Sequence, residues 1–448
     1  MSLYEDQVLA GQKFEDWLNN TKETVCGLWS SAGFGKSYTA KHLIDEVILK
    51  NSNYEPVVTS MTHSAVAVLA AFTGRTVTTL HSLMGWIPHI NKDTGEESIS
   101  TPRMRDKNAE DRLKSDTLLI IDEGGLLGHD ELDLLLAECR RTGARVLIIG
   151  DQKQCFPVVR EGQELCIPAH LTEQTYLELT IPKRTSDDDM IYKLALKYRE
   201  TIDGAAQPKL KTILNSDGKT GVRYVDDLEE MAYLAFKAGV RDGNTRNIKV
   251  LAFTNQRCLN LNRKIRKNVM GLKDTTPVVG EEMVANTAIQ NSVGDTTIIR
   301  NNQIVIVKEV EKTESYGLPG AFIQFEREDE EGNMVDVEEV VFVPSSPDKL
   351  RTRLQKLARD AKILQKAGRE EDASKRWRAF YSLKEGVSDI RFTYAMTVNK
   401  AQGITLKHAL VDLDDMNICQ SREQKTRLAY TAITRATDYV TIEGILDD

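Results

Sequence analysis

Apolar residues in this chain gather in short runs. Val25–Trp29, Val57–Met61, Thr117–Ile121 and Arg145–Ile149 are β-rich runs separated by segments with helical spacing. The rhythm returns at Val250–Thr254, Arg391–Met396, Ala409–Leu413 and Tyr439–Ile442. Apolar runs alternating with helical crossovers predict parallel sheets, so two α/β domains of similar kind are expected.

Two segments break the rhythm. Trp86–Ser115 turns polar, and Asp93-Thr94-Gly95 between Ile90 and Ile99 predicts a small hairpin. Asn286–Val343 holds several β-like stretches, among them Gln303–Val310 and Ala321–Phe325, with a turn at Glu331-Gly332-Asn333; a small barrel or sheet is expected. Leu350, Leu354, Leu357 and Ala361 then give helical spacing to a stretch running from Pro347 to Lys384.

Length and composition narrow the class. At 448 residues, two to four compact units are expected. Hydrophobic residues at 41% and charged residues at 28% are the balance of a soluble globular protein. No apolar run reaches the roughly 18 residues needed to span a bilayer, and the acidic start Met1–Asp6 does not read as a signal peptide, so a cytoplasmic protein without membrane contact is expected. Six scattered cysteines show neither zinc nor disulfide spacing. A net charge of −8 argues against nonspecific coating of nucleic acid but leaves room for a local basic groove.

Candidate chemistry begins at Ser30-Ser31-Ala32-Gly33-Phe34-Gly35-Lys36-Ser37, between an apolar strand and an amphipathic helix. A strand, a glycine-rich loop and a helix in that order form a P-loop, whose backbone N–H groups converge on phosphates. Ala32, Gly33, Phe34 and Gly35 would cradle ATP, Lys36 would neutralise its β/γ-phosphates, and the Ser37 hydroxyl would ligate Mg²⁺. Ser30 stands where such loops usually begin with glycine. Thr117–Ile121 ends in Asp122-Glu123, where Asp122 would hold Mg²⁺ through water and Glu123 would deprotonate the attacking water. The third strand runs into Gly150-Asp151-Gln152-Lys153-Gln154, which offers Gln154 as a γ-phosphate sensor. The basic stretch Pro347–Lys384 carries twelve basic against five acidic residues, with Trp377 as a face on which a base could stack.

These segments, with others in order along most of the chain, resemble superfamily 1 helicases, above all those of T-even bacteriophages in the 5′-to-3′ (1B) branch. The resemblance rests on Gly11-Gln12-Lys13, Met61–Ala65, Thr79–Ser82, Asp122-Glu123, Gly150–Pro157, Lys183-Arg184, Thr397–Thr405 and Tyr430–Ala436. It implies that Gln12 faces adenine and that Thr62, His63, Thr79 and His81 touch single-stranded DNA. Arg184 and Arg435 would enter the ATP site from the second domain. Thr397, Lys400, Gln402 and Thr405 would hold DNA, with Gly403 close to the nucleotide. Gly124-Gly125 stand where relatives often carry Val-Ser, so the relay beyond Asp122-Glu123 is expected to differ.

The implied architecture is two RecA-like domains, 1–85 with 116–175 and 176–285 with 388–448. A pin hairpin at 86–115 and an SH3-like barrel with a helical tower at 286–387 would interrupt them. The implied activity is ATP-driven 5′-to-3′ movement on single-stranded DNA with unwinding at duplex junctions, by a monomer, with a single-strand-binding protein as a candidate partner. Two alternatives stay open: a P-loop ATPase acting on a small molecule or protein, and an ATPase that remodels protein–nucleic-acid complexes with little unwinding.

Overall fold

The computed structural model describes residues 3–31, 33–51, 53–90, 97–155, 171–182, 189–291, 297–329 and 333–447. They form two compact units: Met1–Ala232 with Asn247–Cys258 and Met396–Asp448, and Tyr233–Arg246 with Leu259–Ala395. The all-parallel first sheet and the mostly parallel second sheet, whose β9–β10 pair is antiparallel, lie in the first unit.

Helix α1 (Glu5–Asn20) leads into β1 (Val25–Trp29), and α2 (Lys36–His42) continues through a π-helical stretch into α3 (Leu49–Asn51). Strand β2 (Glu55–Ser60), α4 (His63–Thr73), β3 (Thr78–Thr79) and α5 (Leu80–Met84) follow. The expected hairpin is present as antiparallel β4 (Ile87–Ile90) and β5 (Glu97–Ser100), whereas its Asp93-Thr94-Gly95 turn lies outside the described residues. After α6 (Pro102–Arg105) come β6 (Thr117–Asp122), α7 (His129–Thr142), β7 (Arg145–Gly150) and β8 (Tyr176–Glu178). The sheet order is β3-β2-β6-β7-β1-β8, with parallel pairing throughout. Every residue of β1 and β7 is buried, which explains the unbroken apolar runs: a strand covered on both faces has no polar side to alternate with. The sheet reaches past the expected limit at residue 175, because β8 pairs with β1 yet spans only three residues, too few to show a pattern.

The second sheet starts after α8 (Met190–Ile202), with β9 (Ile213–Leu214) and β10 (Gly221–Val225). Helix α9 (Leu228–Arg241), β11 (Ile248–Ala252) and α10 (Asn255–Met270) complete this first pass.

The second unit is built on β12 (Glu282–Ala285), β13 (Ile289–Gln290), β14 (Thr297–Ile299), β15 (Ile304–Ser315), β16 (Leu318–Glu328), β17 (Met334–Asp336) and β18 (Val341–Pro344). With β19 (Ile390–Phe392) they form an antiparallel sheet ordered β17-β16-β15-β12-β19, with β18 also on β16, while β13 and β14 pair with each other. Phe325, Ile323, Val305 and Met283 fill its core. Tyr316 and Gly317, both at positive φ (54° and 64°), turn the long β15–β16 hairpin, a conformation that suits the twist of paired strands. The helical stretch is two helices, α11 (Pro347–Lys366) and α12 (Glu370–Gly386), because Gly368 takes φ +71° between them. Leu350, Leu354 and Leu357 pack with Leu318, Phe342 and Leu383.

The chain returns to the second sheet through β20 (Ala395–Thr397), β21 (Leu406–Asp412), α13 (Leu413–Met416), α14 (Arg422–Ile433) and β22 (Ala436–Glu443), giving the order β20-β11-β21-β22-β10-β9. The run Arg391–Met396, read as one strand, is therefore a correction: β19 serves the antiparallel sheet and β20 the parallel one. Asn262 holds the crossover by exchanging hydrogen bonds with the backbone of Ala395 (2.8 Å each way), much as a neighbouring strand would.

Buried Arg145 joins α1 to the first sheet. Its guanidinium stacks over Trp17 at 4.0 Å and donates to the carbonyls of Leu18, Trp17 and Glu23. The Trp17 and Leu18 carbonyls lie in the last turn of α1, where intrahelical donors run out. Arg145→Met deprives the Leu18 carbonyl of its donor, while Trp17 O keeps Thr21 Oγ1 and Glu23 O keeps Trp17 Nε1, and is expected to destabilise the protein by about 2 kcal/mol. Urea denaturation checks this, and a loss within error would mean that water satisfies the helix end.

Candidate functional site

The loop after β1 has two left-handed residues, Gly33 (φ 85°) and Gly35 (φ 84°), where a side chain would be strained. Ser30 is not among the positive-φ positions, so glycine is not needed there; its N–H bonds Gly150 O at 3.1 Å. Lys36 Nζ donates to the carbonyls of Ser30 (3.0 Å) and Ser31 (3.1 Å), which keeps its ammonium at the loop. Phe34 is buried and Ser37, in the first turn of α2, is exposed. Ala32 lies outside the described residues.

Gln12 is exposed on α1. Buried Gln7 donates from Nε2 to Thr39 Oγ1 of α2 (2.9 Å) while its Oε1 accepts from Tyr4 N (3.1 Å). The signal missed was the helix start: a glutamine at the third helical position belongs to a capping box.

Asp122 and Glu123 end β6. Burial of the Asp122 carboxyl, with the Glu123 charge beside it, raises its pKa from 3.8 to about 6 against the opposing pull of Lys36. Glu123 is left-handed (φ 54°, ψ 34°), which costs about 1–2 kcal/mol for a non-glycine residue. Gly124-Gly125 have a packing reason. A Cβ on Gly124 would collide with the Ile148 side chain, and one on Gly125 would lie 3.2 Å from Asp151 O. The chain after β6 therefore lies directly against β7 and the loop beyond it.

That loop is clasped by α14. Tyr430 Oη donates to Asp151 Oδ2 at 2.7 Å, and Arg427 donates to the carbonyls of Gln152 and Gln154. Cys155 N donates to Thr431 Oγ1 at 3.0 Å. Gln154 is buried, and its Oε1 has no hydrogen-bond partner among the described residues. An unpaired acceptor in the interior carries a desolvation cost and marks a place where a polar ligand would be welcome. Arg435, also buried, follows α14 and is oriented by Thr431 O and Thr434 Oγ1 (3.2 Å each). Its carbonyl accepts from Leu406 N at 2.8 Å, which sets it beside the Thr397–Thr405 segment. In that segment Gln402 is buried, Thr397 and Lys400 are half-buried, Thr405 is exposed, and Gly403 takes φ 78°. Arg184 lies outside the described residues.

Thr62 and Thr79 are N-caps: each side-chain oxygen accepts a backbone N–H, from Ala65 (3.3 Å) and Ser82 (3.2 Å). His63 opens α4. His81 is held by Glu131 at 2.9 Å and stands edge-on to Trp86. In the second unit, the Trp377 ring packs against Phe380 and Tyr381, 5.5 and 6.0 Å away. An open cavity of about 540 Å³ beside α11 is lined by Lys349, Arg353, Lys356 and Arg376, among others.

The glycine-turned loop after β1, the desolvated Asp122 carboxyl at the end of β6 and the buried arginine after α14 are the parts of a P-loop ATPase fold with two RecA-like sheets. Comparison agrees: the AAA domain family matches residues 10–210, and the UvrD-like helicase C-terminal domain family matches residues 392–442. The ATP-dependent DNA helicase Dda of Enterobacteria phage T4 is 23% identical over 420 residues, covering 90% of this chain and 91% of Dda. The ATP-dependent RecD2 DNA helicase of Deinococcus radiodurans is 34% identical over 131 residues, 29% of this chain and 16% of RecD2. A Pif1 helicase structure, from work on unwinding of forked duplex DNA by two coordinating Pif1 helicases, shares the fold with TM-score 0.50 and 16% identity over 98% of this chain and 92% of that one. The similarity to Dda runs along nearly the full length of both chains.

The raised Asp122 pKa has a consequence for stability. A carboxyl whose folded pKa exceeds its unfolded value disfavours the fold when ionised; the penalty is absent below about pH 4 and complete above about pH 6. Asp122→Asn is therefore expected to stabilise the nucleotide-free protein at pH 7 by about 2 kcal/mol and to leave stability unchanged at pH 4. Melting temperatures of both proteins across that range test it, and equal melting at pH 7 would refute the desolvation.

Proposed function

We propose that this chain is an ATP-dependent DNA helicase that translocates 5′ to 3′ on single-stranded DNA and separates duplex at the junction. The observation that carries the reading is the clasp of α14 on the loop after β7. It joins the nucleotide end of the first sheet to the helix that positions Arg435, and through Leu406 to the Thr397–Thr405 segment. An ATPase whose work ended at hydrolysis would have no use for that second connection. The relatives named as ATP-dependent DNA helicases support the same reading.

In this mechanism Lys36 balances the phosphate charge, Glu123 takes a proton from the attacking water, and Arg435 stabilises charge on the transferring phosphoryl group. The buried Oε1 of Gln154, an acceptor, would take a hydrogen bond from the attacking water at the γ-phosphate end of the site. The donor set fits Mg²⁺, with an exposed hydroxyl at Ser37 and a carboxylate at Asp122 whose burial disfavours an uncompensated charge. When bound, the ion would neutralise phosphate charge. Thr397, Lys400 and Thr405 would hold backbone phosphates, and the capped starts of α4 and α5 would offer N–H groups to others. The chain would act as a monomer, and the β4–β5 hairpin would be the pin that splits the duplex.

Arg435→Ala is expected to bind ATP nearly normally and to lose about 10³-fold of turnover with single-stranded DNA present, the scale of an arginine finger. Strand displacement on 5′-tailed and 3′-tailed duplexes tests direction. Displacement of only the 3′-tailed substrate would reverse the polarity, and ATPase stimulation without any displacement would favour remodelling over unwinding.

Replacing Lys92–Ser98 by a short Gly-Ser turn is expected to spare DNA-stimulated ATPase and single-strand translocation while unwinding falls sharply. Each base-pair step resists opening by about 1.4 kcal/mol of stacking, a cost met only at a duplex. Parallel loss of all three activities on one preparation would show that the hairpin merely supports the fold.

A further inference from the structure

Helix α8 carries none of the nucleotide or DNA motifs, yet it reaches both sides of the nucleotide site. Ile191, Ala195 and Tyr198 lie on one face, in the same core as Leu428 and Tyr430 of α14. Tyr192 and Arg199, two turns apart, lie on another. The Tyr192 ring is 6.2 Å from that of Phe34 in the nucleotide loop, and the Arg199 guanidinium is 6.0 Å from the same ring. Arg199 also donates a hydrogen bond to Ser31 Oγ and stands 3.9 Å from a carboxylate oxygen of Glu178, at the end of β8.

These contacts are unequal. The Glu178 side chain is 44% exposed and the ion pair is long, so it contributes little. Ser31 is buried, and a charged donor meeting a buried hydroxyl makes a directional bond that excludes water. Arg199 is thus held to the loop by Ser31, while its helix is held to α14 by packing.

We infer that Arg199 is a positioning residue that couples nucleotide occupancy of the loop to the grip on single-stranded DNA. Any displacement of Ser31 on nucleotide binding moves Arg199, and α8 passes that movement to α14, Arg435 and the neighbouring Thr397–Thr405 segment. The inference rests on the helicase reading above. It differs from the arginine-finger role in that Arg199 acts through Ser31 and not on the transferring group.

The test is the dissociation constant of a fluorescent oligothymidylate, measured by anisotropy with and without a non-hydrolysable ATP analogue at saturation. The ratio of the two constants is the coupling. In Arg199→Ala this ratio is expected to move towards one by about 10-fold, within the usual range of coupling between sites. Ser31→Ala should do the same, and the double variant should go no further, because one shared contact is lost once. Should Arg199→Ala lower the melting temperature, Ser31→Ala, which deletes a single oxygen, carries the test alone. An unchanged ratio in Ser31→Ala, additive losses in the double variant, or a wild-type ratio of one overturns the inference. Wild-type protein that neither binds the oligonucleotide nor hydrolyses ATP faster in its presence sinks the helicase reading instead.

Discussion

The hydrogen bond from Tyr430 to Asp151 is the contact around which the nucleotide side of the molecule is arranged. Asp151 is buried at the end of β7, and one of its oxygens already accepts from Lys153 N, which shapes the loop. The other accepts from Tyr430, on a helix of the second sheet. A buried carboxylate left without that donor would be costly, so the loop and α14 are obliged to meet. Once they do, Cys155 reaches Thr431, Arg427 closes on two loop carbonyls, and Arg435 is brought beside the same loop. Both sheets belong to one compact unit.

The same economy of space explains the acidic pair. Gly124 and Gly125 let the chain leave β6 against β7 with no side chain between them, and Glu123 accepts a left-handed backbone to make the bend. The enclosure that results desolvates Asp122 and raises its pKa. Strain at Glu123 and an unhappy charge at Asp122 are both unfavourable in the free protein. Stability is given up where a divalent cation, carried in with a phosphate-bearing ligand, would recover it.

Much of this was legible in the sequence, for a physical reason. Strands buried on both faces are continuous apolar runs, and the chain must change character where they end, so Val25–Trp29 and Thr117–Ile121 pointed directly to the loops that follow. What escaped was short or two-faced. β8 has three residues, too few for a period, and β19 and β20 share one apolar run although they serve different sheets. Gln7 and Gln12 are equivalent as residue types, and only their faces on α1 separate them. Arg199 is one basic residue among several on α8, and no spacing rule reveals that its target is a serine far back in the chain.

Strand order resolves how residues spread from position 30 to position 435 can serve one site. In a parallel sheet every strand delivers its following loop to the same edge, so neighbours in the sheet are neighbours in chemistry. β1 lies between β7 and β8, which places the phosphate loop between the Gly150–Cys155 loop and Glu178; β6, with Asp122 and Glu123, comes next beyond β7. The second sheet adds no phosphate loop of its own to this edge. It contributes helices, α14 onto the loop after β7 and α8 onto the loop after β1, so that each flank of the nucleotide loop is touched by an element the other sheet supports. A nucleotide entering there would press on both contacts at once. Neither could shift without drawing on the core that holds α8 and α14 together, and that shared core is what would turn a local event at the phosphates into a movement of the second sheet.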